Sequence, residues 1–297
     1  MMKKISGTAM TLTPLIFSSL VWVKDITVQL RWFWLGILTM WVAPVLAIVI
    51  RHDRADTAYQ AVESDFPQIF YLHIRYDNKV CMANLIDAHW ALTAAHCTEQ
   101  TPLGATIAAH ENFKVSIAGI DNTVSALVIH PDYQTGKLLV GTDLALLYLD
   151  SAVEHVSPLQ LNNQDDEQSA IMELLGWGFS GLGTMGRQGN DGRFRHAQNQ
   201  VEDAAQWLRF RFDDPREPNT LALELEGVPG LGDSGGPALW SQGGNWLLSG
   251  VAVGELEPVN PGDAQGRYGA IEIYERISLH YLWITSVMTA GVHGVIP

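Results

Sequence analysis

The stretch Gly232-Asp233-Ser234-Gly235-Gly236-Pro237 sets a serine among glycines. Flanked this way the hydroxyl is exposed, and the amides of Gly232 and Ser234 can turn inward together as two hydrogen-bond donors. Such a pair stabilises the negative charge of a tetrahedral intermediate in acyl transfer. A serine hydroxyl is inert at neutral pH until a base takes its proton, so this chemistry requires a histidine and an acid elsewhere. Leu92-Thr93-Ala94-Ala95-His96-Cys97 supplies a histidine between small residues and a cysteine. In Thr142-Asp143-Leu144-Ala145-Leu146-Leu147-Tyr148-Leu149 an aspartate opens an otherwise apolar strand. A carboxylate drawn into that setting needs donors, and an imidazole N–H is an obvious one. A lone histidine after an apolar run is usually structural; the ensemble of three points to chemistry.

These side chains must be positioned by a body with a substantial core. The 297 residues are 47% hydrophobic and 17% charged, which suits one large or two small globular domains and excludes a disordered chain. Short apolar runs at 69–74, 90–93, 124–129, 144–149, 172–175, 221–225, 246–253 and 268–277, divided by turn residues, predict strands of an all-β sandwich or barrel. Only 278–289, with Leu279, Leu282, Trp283 and Val287 at helical spacing, predicts a helix. The polar, acidic stretch 162–168 is the expected connection between halves, and the glycine-rich 176–192 is expected to be a long surface loop.

Formal net charge is −14. Residues 1–47 hold Lys3, Lys4, Lys24 and Arg31 against Asp25, so the remainder carries three more negative charges than the whole. A body this acidic argues against nucleic acid or anionic membrane surfaces as partners. The leader is different. Residues 32–50 run without a charge after Arg31, long enough to span a bilayer and also compatible with an export signal; a weaker apolar run, 10–23, lies upstream. Val45-Leu46-Ala47 resembles a signal-peptidase site, so cleavage is expected there, with an uncleaved membrane anchor as the alternative. The protein is then secreted or periplasmic, or tethered with its body outside the cytoplasm. Export predicts a disulfide between the two cysteines, Cys81 and Cys97; in a reducing compartment they would be two buried thiols.

The blocks LTAAHC, DLALLYL and GDSGGP, in the order histidine, aspartate, serine, resemble those of the chymotrypsin/trypsin-like serine peptidases. Similar too are the segment from Cys81 to Cys97, Ile129-His130-Pro131-Asp132-Tyr133, Leu175-Gly176-Trp177-Gly178, and Tyr274-Glu275-Arg276-Ile277-Ser278 followed by Trp283-Ile284. The resemblance implies two packed six-stranded antiparallel β-barrels with a C-terminal helix and an active site between them. Residues 48–165 would form the first barrel, with His96 and Asp143, and 166–297 the second, with Ser234.

The resemblance also implies a serine endopeptidase. Ser234 attacks the peptide carbonyl, His96 takes and returns the proton, Asp143 orients the ring, and the amides of Gly232 and Ser234 hold the oxyanion. A catalytically silent, protease-like binding module is the alternative. No metal or organic cofactor is needed, and the other nine histidines show no ligand spacing such as HExxH. Partners are protein or peptide substrates, no nucleic acid, and a membrane only through an uncleaved leader; a monomer is expected. In this family the carboxylate corresponding to Asp233 binds a newly made amino terminus. Cutting after Ala47 would place that terminus at Ile48. Where trypsin-like members carry an aspartate on the specificity-pocket floor, this chain has Val228. The pocket wall resembles Val251-Ala252-Val253-Gly254, in which Ala252 has no hydroxyl to offer Asp143. Counting back from Tyr274 puts Glu272 on the family's second pocket wall, pointing inward, where it would favour Lys or Arg at the cleaved position; a surface or structurally paired glutamate is the alternative.

Overall fold

The computed structural model describes residues 48–137, 139–256 and 264–291. The leader, 1–47, lies outside them, and with it the expected cleavage site and both apolar runs, apart from the end of the second. That end, Ile48–Ile50, is β1, fully buried. β1 pairs with strands from the second half of the chain, parallel to Ser180–Leu182 and antiparallel to Gly227–Val228.

The first barrel is built from β2 (Ile69–Arg75), β3 (Asn78–Asp87), β4 (Trp90–Thr93), two short helices α1 (Cys97–Gln100) and α2 (Leu103–Ala108), β5 (Phe113–Ile117), β6 (Ile120–Ile129) and β7 (Ala145–Leu149). Its sheet order is β2-β3-β4-β7-β6-β5. β6 shows why these residues are strands. Asn122, Val124, Ala126 and Val128 are buried while their neighbours Thr123, Ser125 and Leu127 are not, the period of two that one covered face requires.

The second half comprises β8 (Gln160–Leu161), β9 (Ile171–Gly176), β10 (Ser180–Leu182), β11 (Gly186–Gly189), β12 (Arg195–Ala204), β13 (Trp207–Arg211), β14 (Gly227–Val228), β15 (Pro237–Gln242), β16 (Asn245–Glu255), β17 (Ile271–Arg276) and the C-terminal helix α3 (Ile277–Ala290). Six of these strands close a ring, β15-β9-β12-β13-β17-β16 and back to β15, with β8 added at β16. The architecture is therefore the expected all-β pair of six-stranded barrels, the first nearly closed, with a helix at the end.

Three local expectations are corrected. Residues 221–225 are not a strand: side chains take the backbone groups of Leu223, whose N donates to Glu226 at 2.5 Å and whose O accepts from Arg51 at 2.5 Å, while Leu225 O accepts from Gln198 N at 2.8 Å. The glycine-rich 176–192 is largely a hairpin, β10 with β11, in which a Cβ on Gly181 would lie 1.8 Å from Gly186 O. Glycine there permits close backbone approach. The apolar face of α3 is rotated: Ile277, Ile284 and Val287 are buried, whereas Leu279 and Leu282 are exposed. The helix start is fixed from outside it, since Arg276 Nε donates to Glu167 at 3.0 Å and Ser278 Oγ to the same carboxylate at 2.6 Å. Glu167 lies in the connection 162–168, so that polar stretch is anchored through a buried acid. Among the described residues no helix is long and apolar enough to cross a membrane.

Candidate active site

β4 and β7 are antiparallel, with Thr93 opposite Ala145. The residues just after β4 and just before β7 consequently meet at one end of the sheet, and these are His96 and Asp143. The Asp143 carboxylate accepts from the backbone N–H of His96 at 2.8 Å and pairs with His96 Nδ1 at 2.6 Å. Both residues are buried. A carboxylate on Nδ1 selects the tautomer that leaves Nε2 as the acceptor. The backbone of this corner is pinned by the Cys81–Cys97 disulfide, with Cα atoms 5.8 Å apart. Cys81, His96 and Cys97 bring their potential ligand atoms within 4.8 Å of one another, but both sulfurs are consumed in that bond and cannot hold a metal.

Behind Asp143 stands a residue that sequence reasoning missed. Asp143 N donates to Glu275 Oε1 at 2.8 Å, and Glu275 Oε2 lies 3.4 Å from His280 Nε2. Glu275 is in β17 of the second barrel, so this bond ties the two halves behind the aspartate. The sequence carried it as one residue of Tyr274-Glu275-Arg276; nothing in its spacing pointed to position 143.

The serine loop follows β14 and is sewn to β3 of the first barrel. Cys81 N donates to Gly232 O at 2.9 Å, Met82 N to Ser234 O at 2.7 Å, and Asn84 Nδ2 to Gly235 O at 2.8 Å. Two further bonds orient the loop's amides. Leu231 O accepts from Phe179 N at 2.7 Å, and Asp233 O accepts from Gly236 N at 2.9 Å. In a trans peptide the C=O and the next N–H point opposite ways, so fixing these two carbonyls turns the N–H groups of Gly232 and Ser234 away from them. Among the described residues neither amide has an acceptor. Gly232 has φ +101°, and a Cβ there would meet Lys79 O at 2.9 Å, so the loop takes this course only with glycine.

Asp233 is buried beneath the loop and accepts from Gly178 N at 2.6 Å and Gly230 N at 2.8 Å. Burial pushes its carboxyl up to about 7, against the pull of those amides. Among the described residues no cation is paired with it. Ile48 is in register with Ser180, two residues beyond Gly178.

His96 and Ser234 line one cavity of about 140 Å³. No hydrogen bond joins Ser234 Oγ to His96 here, an arrangement common before substrate arrives. Gly254 and Glu272 line the same cavity, while Val228 is turned away, packed with Val49, Phe212 and Tyr268. Glu272 is fully enclosed and Arg187 Nη2 lies 3.0 Å from its Oε1. Arg187 was invisible in the sequence as a site residue, lying 85 positions from its partner within an expected surface loop.

A family model described as Trypsin matches residues 58–284. The chain is 28% identical over 232 residues to an ovochymase of Halocynthia roretzi; the aligned part is 73% of this chain and spans only 14% of the length of that relative. Among solved structures it is similar to neuropsin, a serine protease expressed in the limbic system of mouse brain. The TM-score is 0.56 at 18% identity, covering 77% of this chain and 98% of that one, a likeness of fold.

Proposed function

Because the chain belongs to the trypsin family, we propose that it is a serine endopeptidase acting through an acyl-enzyme intermediate, with Ser234 as nucleophile, His96 as general base and acid, and Asp143 holding the ring. The observation that carries this reading is the Asp143 carboxylate gripping both the backbone and Nδ1 of His96, beside a cavity that Ser234 shares. His96 takes the Ser234 proton as the hydroxyl adds to the peptide carbonyl. The unengaged amides of Gly232 and Ser234 receive the oxyanion, a contribution of about 3–4 kcal/mol per donor in comparable sites. His96 then protonates the leaving amine, and water, activated by the same ring, releases the acyl group.

Asp233 and Ile48 extend the proposal. A chain beginning at Ile48 would place an ammonium near Asp233 and give that buried carboxylate its missing cation. The disulfide supports work outside the reducing cytosol. A preference for Lys or Arg through Glu272 requires that carboxylate to be accessible, and in this structure Arg187 holds it.

The test is labelling by a fluorophosphonate, which reports an activated serine. Labelling of the unaltered protein, lost in Ser234→Ala and strongly slowed in His96→Ala, is the expected result. Absence of labelling in the protein cut before Ile48 would favour the silent binding module.

A further inference from the structure

Arg187 extends from β11 into the cavity that Ser234 lines. Its Nη2 lies 3.0 Å from Glu272 Oε1 and 3.2 Å from Glu255 Oε2, and its Nη1 donates to Gln265 Oε1 at 2.7 Å. The two acids are register partners on the neighbouring strands β16 and β17, and the side chains of both are 1% exposed. Burial pushes the Glu272 carboxyl up to about 8 despite Arg187, and the nearby Glu255 adds to the rise. Two acids thus face one arginine in a site closed to solvent. Among the described residues the buried Arg187 Nε has no partner, a cost that leaves this arginine less than fully satisfied where it sits.

We propose that Arg187 is a specificity-determining residue, a built-in cation that fills the acidic end of the substrate pocket, keeps Lys and Arg side chains from Glu272 and Glu255, and leaves room for a short uncharged residue. The remaining volume of about 140 Å³ agrees with this; pockets for drug-sized ligands run to roughly 300–1,000 Å³. The proposal rests on the peptidase reading above for its meaning, but its first measurement does not depend on a working nucleophile.

Benzamidine, a small aromatic amidinium, is titrated by calorimetry into the full-length protein, into Arg187→Ala and into Arg187→Ala/Glu272→Gln. The unaltered protein is expected to bind it poorly, Arg187→Ala to gain about tenfold or more because a buried acid pair has lost its cation, and the double variant to lose most of that gain. Arg187→Gln, which removes the charge but keeps more of the side chain and a polar end, carries the test if Arg187→Ala melts early. Equal binding by the unaltered protein and the Arg187 variants would overturn the proposal, and so would a gain that survives Glu272→Gln. In parallel, the ratio of kcat/KM for peptides with Lys over Ala at the cleaved position should rise in the same variants. If fluorophosphonate labelling fails while the amidine pattern appears, the peptidase reading falls and the pocket assignment stands. Labelling with no change in amidine affinity leaves the opposite result.

Discussion

Asp143 and Glu272 are both buried carboxylates beside the same cleft, one supplied by each barrel, and the fold treats them oppositely. Asp143 is met by N–H dipoles and an imidazole: the backbone and ring of His96 take its two oxygens. Glu272 is met by a full positive charge and a second acid, Arg187 and Glu255. Neutral donors orient a carboxylate and leave its charge for a partner that acquires one during reaction. Burial with a guanidinium and a second acid in contact leaves a carboxylate no charge to offer a substrate. The same residue chemistry thus yields a carboxylate held by a histidine in one barrel and one closed off by an arginine in the other.

The largest effect that can break this contrast is on turnover. Asp143→Asn should lower kcat about 10⁴-fold, as expected when a triad loses its tautomer control, whereas Glu272→Gln should change kcat for a substrate with Ala at the cleaved position by only a few-fold. The second effect is small because Glu255 still pairs with Arg187 when Glu272 is neutralised. Steady-state kinetics on one peptide amide decides it, and similar losses in both would erase the distinction. Next is Gly232→Ala. A Cβ at φ +101°, against Lys79 O, should cost roughly 1–3 kcal/mol of strain, and displacement of the amide should cut kcat about 100-fold. An unchanged kcat would mean that this amide takes no part.

Glu275 sharpens the Asp143 side. Glu275→Ala removes the acceptor of Asp143 N and should lower kcat about tenfold, while Glu275→Gln, whose amide oxygen can still accept, should restore most of it. A purely structural role would instead move the melting temperature in both variants without that rescue.

The smallest effect is on the Glu272 side, in the pH dependence of stability. Its carboxyl is raised to about 8 in the folded protein from the ordinary 4.5. Between those values the folded state holds a proton that the unfolded chain has released, so stability from this group is full below pH 4.5 and declines as pH rises towards 8. Asp233, also raised, contributes in the same direction up to about 7. Denaturant unfolding of Glu272→Gln across pH 5–8 should show a shallower decline than the unaltered protein; an identical slope would place the proton elsewhere.

Much of this molecule is legible along the chain because its reasons are local. Period-two burial in β6 and the small residues around His96 act within a few positions, and so does the glycine that Gly232 must be. Other features misled for equally physical reasons. The run 221–225 has strand composition, yet Arg51 and Glu226 take the backbone groups of Leu223 at its centre. Glycines in 176–192 read as loop because composition does not distinguish a flexible backbone from one that a neighbouring strand approaches closely. Leu279 and Leu282 sit at helical spacing but face outwards, since the rotation of α3 is fixed by Ile277 in the core and by the ties to Glu167 at its start.

By itself the sequence determined the kinds of groups available, the turn chemistry of the serine loop, the barrel-forming alternation and the two cysteines that join. Tertiary structure alone decided that Arg187 would stand against Glu272 and Glu255, that Glu275 would reach across to Asp143, and that Val228 would face Phe212 instead of the cavity. The division has one cause. Dihedral preference and side-chain period act between near neighbours, but a buried charge is settled by whatever the closed barrels bring within a few ångströms, and that company is drawn from the whole chain.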